Sequence, residues 1–171
     1  KAENDVLTKI IFLHEALSQE NEIKLLHDYY KIIASEKKER FDELIKLVDE
    51  SKTDLFYLKR KNPVSVVSRG DFSEQMQSII SKILTENGLI ISKNADYQII
   101  AESYFPIQVF NEIYSCSPTV SVFLEGKSGI ISNCVMSSEQ FSSWNKQLTK
   151  DRSLEDIEDL LHERLIQYLL K

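Results

Sequence analysis

Three histidines, two cysteines and 27 acidic side chains are the groups in this 171-residue chain that could act on a substrate or hold a metal ion. His14, His27 and His162 each fall in a helical pattern and lie far apart in sequence. None belongs to an HExxH pair, so partly buried or surface helix histidines are expected rather than ligands. Cys116 and Cys134 have neither CxxC spacing nor a nearby histidine. Read with a four-residue turn at Gly126–Gly129, Cys134 faces Ser121 and Cys116 lies about five residues further along. At about 3.3 Å per residue that exceeds the roughly 7 Å reach of a disulfide, so no bridge is expected. No Walker loop, dinucleotide fingerprint or GxSxG elbow occurs. The acids sit mostly on helix faces and first turns, where solvation and dipole pairing account for them. Asp96, between an alanine and a β-rich run, is expected to shape the strand entry through an Asx-type bond. Arg69-Gly70-Asp71 spells an integrin-binding tripeptide, yet a tight turn followed by an N-cap acid needs the same residue types. The expectation is a protein without catalytic residues, metal ligands or cofactor.

Charge excludes another class. The net charge is −6, and residues 63–171 hold 14 acidic against 9 basic side chains. A nucleic-acid groove needs clustered Lys and Arg to displace counterions, and the one basic cluster, Lys59-Arg60-Lys61, reads as a solvated connector. No apolar run approaches the roughly 20 residues that cross a bilayer. The first residue is Lys1 with no signal peptide in view, so the residues that would reveal the compartment are expected upstream.

Two textures must position whatever surface the chain uses. In residues 1–62, Val6, Leu7, Ile10, Ile11, His14 and Leu17 form one helical stripe; Ile23, Leu26, Tyr30, Ile33, Phe41, Leu44, Val48 and Leu55 continue it. The polar break Ser18–Asn21 predicts helices over 4–17 and about 22–58 packed as an antiparallel hairpin, the second either continuous or bent near Ser35–Glu36. Asn62-Pro63 ends the helical part. Residues 63–171 then read as an α+β sheet domain. A strand over 63–68 is followed by a capping box, Asp71 to Glu74, opening a helix that buries Phe72, Met76, Ile79, Ile80, Ile83 and Leu84 and stops at Asn87-Gly88. Leu89–Ile91 and Tyr97–Ala101 read as strands, and Thr119–Glu125 with Ile130–Met136 as a hairpin. A polar loop over 138–152 precedes a last helix capped by Ser153. The order strand, helix, two strands, hairpin, helix predicts helices on one face of a small, mainly antiparallel sheet.

Binding is then the function left to place. Tyr104 to Tyr114 carries more aromatic surface than a loop requires, with Phe105 and Phe110 as candidate contacts; Phe141 and Trp144 are a second pair in the serine-rich loop. For both, anchoring the loop onto the core is the competing role. The helical front segment is a third candidate. At up to about 35 residues its long helix would extend some 50 Å, more than the first helix covers.

Gly88-Leu89-Ile90-Ile91-Ser92-Lys93-Asn94-Ala95-Asp96-Tyr97-Gln98-Ile99-Ile100-Ala101 resembles the helix, glycine, short strand, Ala-Asp-Tyr, strand passage of small bacterial periplasmic lipoprotein domains. The families in view are the curli-secretion lipoproteins, the flagellar outer-membrane assembly lipoproteins and the amino-terminal domain of the Tol-system translocation protein. The resemblance extends over Val120–Leu124, Gly129–Ile131 and Ser153–Leu170, and so over about residues 63–171. It implies a non-enzymatic α+β domain that docks or builds envelope assemblies, either free in the periplasm or anchored there to the outer membrane. Its partners would be envelope proteins or a second copy, with no nucleic acid, and membrane contact only through an upstream lipid anchor. An intracellular adaptor with a dimerising helical segment and a ligand- or peptide-binding α+β domain is the alternative.

Overall fold

The polar break at Ser18–Asn21 does not turn the chain. A computed structural model describes residues 2–33 and 38–169, with side chains over 6–29 and 42–169. In it α1 (Ala2–Ser18) runs into α2 (Glu20–Ile33) across one irregular residue, Gln19. The return arm is α3 (Lys38–Lys61). Three cross-links fix its antiparallel register: Lys59 Nζ reaches His14 Nδ1 at 3.4 Å, Lys52 Nζ reaches Glu20 Oε1 at 2.5 Å, and His27 Nε2 reaches Asp42 Oδ1 at 3.0 Å. A helical hairpin therefore forms, but its arms are 2–33 and 38–61 instead of 4–17 and 22–58. Serine, glutamine and glutamate are tolerated inside a helix, and no glycine or proline stands at 18–21 to break one. Whether the chain is continuous or bends at Ser35–Glu36, and the side chains of Tyr30, Ile33 and Phe41, lie outside the described residues.

The hairpin shares its core with the sheet. Leu7, Ile10, Ile11 and Leu55 are buried in the same hydrophobic cluster as Val64, Tyr97 and Ile99. His14 locks the junction. Its Nε2 donates to the carbonyl of Glu86 at 3.0 Å, leaving Nδ1 to accept from Lys59. The ring lies on Gly88, whose φ of +85° closes the helix before it, and a Cβ there would come within 2.4 Å of His14 Cγ.

The sheet domain begins with β1 (Val64–Gly70), α4 (Ser73–Glu86) and β2 (Tyr97–Tyr104). Next come β3 (Ile107–Phe110), β4 (Ile113–Cys116), β5 (Thr119–Gly126), β6 (Gly129–Ser137), β7 (Phe141–Ser143) and α5 (Lys146–Leu169). Two sheets form where one was expected, a four-stranded one ordered β1-β2-β5-β6 and a three-stranded one ordered β3-β4-β7. Among the described strands only β1 and β2 run parallel, with α4 as their crossover. Period-two alternation puts Val66, Ile99, Val122 and Leu124 on the buried face, against Met76 and Ile80 of α4 and Ile157 and Leu161 of α5. Each such aliphatic side chain contributes about 1.5–3 kcal/mol on burial.

Four local expectations change. Leu89–Ile91 forms a single parallel bridge, Ile91 to Val64, rather than a strand. The β5–β6 turn holds only Lys127 and Ser128, and a bulge after Leu124 places Cys134 opposite Val122 instead of Ser121. Residues 138–152 are not one loop: β7 and the first two turns of α5 lie there. Asn145, not Ser153, caps that helix, its Oδ1 accepting from the N–H of Gln147 at 2.9 Å and of Leu148 at 3.1 Å. Ser153 lies fully buried within it.

Candidate interaction surface

The three-stranded sheet exists because of a corner built by Gly70 and Asp71. Gly70 has φ +92°, and a Cβ on it would fall 2.1 Å from the carbonyl oxygen of Ser103, so only glycine lets the strand end approach β2 this closely. Asp71 N–H donates to Ser103 O at 3.0 Å, and the Ser103 hydroxyl donates back to the carbonyls of Arg69 and Asp71. The Asp71 carboxylate does not cap α4, as the capping-box reading required; it accepts the backbone N–H of Phe105 at 2.8 Å. Helix α4 starts without a side-chain cap, behind Phe72 in the left-handed conformation at φ 54°. That unusual conformation turns the Phe72 ring edge-on to Phe105 at 4.9 Å, with the Lys150 ammonium 5.8 Å from the Phe72 ring centroid. The Arg-Gly-Asp tripeptide is thus a structural corner, its carboxylate engaged with the chain itself.

From that corner β3 sets out. Asn111 and Glu112, at φ 48° and 64°, turn it back as β4, a hairpin that an Asn-Glu pair gave no signal for. Register then sorts the candidate residues. Ile107, Cys116 and Phe141 form one cross-strand row, with Cys116 buried and Phe141 half-buried. Phe105, only 3% exposed, lies in the core beside them and anchors the corner rather than presenting a ring. Gln108, Ser115 and Ser142 form the next row, and Val109, Tyr114 and Ser143 the one after it. Beyond it, Phe110 pairs with Ile113, and Trp144 follows Ser143 at the level of Ile113. Two strand spacings, roughly 10 Å, separate the Phe110 and Trp144 positions. Both rings stand in solvent, at 77% and 71% exposure, with Val109 at 60%.

Of the four aromatic residues singled out by sequence, the structure brings Phe110 and Trp144 to one sheet end and assigns Phe105 and Phe141 to its base. Asp71 and Asn145 hold this end in place. Asn145 caps α5 immediately after Trp144, and the Thr149 hydroxyl donates to Tyr114 O at 3.3 Å, tying α5 to β4. Reading the helix start at Ser153 misses Asn145, although Asn is a preferred N-cap residue; the tertiary bond of Asp71 carries no sequence signal.

Asp96 pairs with Lys127 at 2.8 Å instead of forming the expected Asx bond. Cys116 and Cys134 are free, and burial pushes both thiols up. Among the described residues no group of three or more His, Cys, Asp or Glu could hold a metal, and no helix is long and apolar enough to cross a membrane. The helical hairpin exposes Leu25, Leu26, Tyr29 and Leu47 as a separate apolar surface.

No family model and no curated protein matches the sequence. Solved structures resemble the fold. A minor lipoprotein from Acinetobacter baumannii is 18% identical, matched over 64% of this chain and 91% of its own, at a TM-score of 0.48. Rare lipoprotein B from Shewanella oneidensis is 13% identical over 62% and 92%, at 0.42. Lipoprotein GNA1162 from Neisseria meningitidis is 9% identical over 58% and 97%, at 0.41. These structural neighbours are bacterial lipoproteins.

Proposed function

We propose that this chain is a non-catalytic assembly or scaffolding protein of the bacterial cell envelope. In this reading it lies in the periplasm, is tethered by a lipid anchor upstream of Lys1, and works through protein contacts. The finer analogy is to the curli-secretion, flagellar-assembly and Tol-type domains, on the strength of the Gly88–Ala101 passage. One observation carries the contact: Phe110 and Trp144 stand exposed at the same end of a small sheet whose base is locked by Asp71. Large aromatic rings on a rigid support are favoured interface anchors, because little conformational entropy is lost when they are covered.

Replacing Trp144 by Ala tests the site. Loss of partner binding or self-association at an unchanged melting temperature is expected. A core ring would instead cost about 3–5 kcal/mol. A large fall in melting temperature with binding retained in the folded fraction would overturn the assignment. The precursor tests the compartment: a signal peptide ending in a lipidated cysteine is expected, and a cytosolic start would contradict it.

A further inference from the structure

A second surface lies along β6, which is the last strand of the four-stranded sheet and, among the described residues, pairs only with β5. Natural edge strands are normally protected by lysine, proline or inward charge. Strand β6 has none of these: Gly129-Ile130-Ile131-Ser132-Asn133-Cys134-Val135-Met136-Ser137 contains no charge and no proline. Its bulge lies at the turn end, so the pairing register is regular from Ser132 to Ser137. Beside the far end of this strand opens a cleft of about 460 Å³, with Ser137 and Glu139 on one side and Asp156, Asp159, Leu160 and Glu163 of α5 on the other. The spacing of three and four residues along α5 turns these side chains to one helical face. Asp156, Asp159 and Glu163 are exposed and form no ion pair among the described residues; Arg164 is the one basic residue on the cleft wall.

We infer that β6 and the acidic flank of α5 together form a docking site for an extended, basic segment of a partner protein, which adds as a fifth strand. The unpaired backbone of β6 supplies hydrogen bonds that only another extended backbone satisfies. Side chains of the added strand alternate between the two faces of the sheet. Those on the α5 side meet Asp156, Asp159 and Glu163, which select Lys or Arg. Those on the other side lie next to Val135, which is 65% exposed, and are apolar. Charge also argues against a second copy as occupant. Two-fold pairing of β6 with itself would bring two acidic α5 flanks together, and like charges there oppose association.

The probe is a fluorescent, end-blocked nonapeptide alternating lysine and valine, titrated against the full chain. Controls are the glutamate–valine counterpart and a lysine–valine peptide carrying prolines at alternate backbone positions. The lysine peptide is expected to bind at least about tenfold more tightly than either control, roughly 1.4 kcal/mol, and to weaken with salt. Hydrogen exchange of amides within 132–137 should slow when it is bound. The triple variant D156K/D159K/E163K changes only exposed positions and should reverse the preference toward the glutamate peptide, with unchanged circular dichroism. Equal affinity for the two charge types, undiminished binding of the proline peptide, or unchanged exchange at 132–137 would overturn the site. So would a stable homodimer that excludes the peptide by occupying β6.

Discussion

The carboxylate of Asp71 and the backbone N–H of Phe105 meet at 2.8 Å, joining the end of β1 to the residue that follows β2. This bond orients the β3–β4 hairpin, because Phe105 is its last fixed point before Ile107. Removing the acceptor strands an N–H beside a buried ring, at a cost of about 1–3 kcal/mol. Asp71→Ala should therefore lower the urea midpoint by that amount with an unchanged denaturant slope. Asp71→Asn keeps an acceptor oxygen and should lose less. Equal losses for the two variants would show that the carboxylate is not acting through this bond.

His14 and Gly88 give a second coupled pair. Alanine at 88 is strained by the positive φ, about 1–2 kcal/mol, and also strikes the imidazole. Gly88→Ala should lift α1 off the sheet domain and expose the hairpin to limited proteolysis. Adding His14→Ala removes the steric part, so the double variant should lose less stability than the two single losses added together. Additive losses would place the ring elsewhere.

Glu20 makes the hairpin pH-dependent. Hydrogen bonds from Lys24 and Lys52 hold its carboxyl below the ordinary carboxylate value, and the same contact raises Lys24. With the folded value depressed, the unfolded chain binds more protons through the acid range. The contribution is complete above the ordinary carboxylate value and disappears as pH falls through the lower folded one. Glu20→Gln should therefore weaken the hairpin at neutral pH and differ little from the parent once the carboxyl is protonated. Melting curves from pH 7 to strongly acid conditions check this; an undiminished gap at acid pH would contradict it.

The helical face of α4 was legible because its apolar residues recur at steps of three and four and Asn87-Gly88 gives a clean stop; Met76, Ile79, Ile80, Ile83 and Leu84 are all buried. The hairpin's turn was misplaced because Ser18-Gln19-Glu20-Asn21 is polar without being helix-breaking. The three-stranded sheet was hidden for a different reason. Its strands are three or four residues long, too short for periodicity, and its turn is Asn-Glu rather than Asn-Gly. The candidate site inherits that division. Phe110 and Trp144 were visible as excess aromatic residues, but their shared row depends on the β3–β4–β7 register, which pairs residues up to 29 positions apart. Phe105 was indistinguishable from them by sequence because only tertiary packing buries it.

The most direct test of the proposed role is site-specific photocrosslinking in the native cell envelope. A photoreactive amino acid is placed at Phe110, at Trp144, and at exposed Glu102 on the larger sheet as a control. Adducts of one common mass are expected at 110 and 144, in the envelope fraction, and none of that mass at 102. No adduct at either aromatic position, or the same adduct at all three, would contradict it.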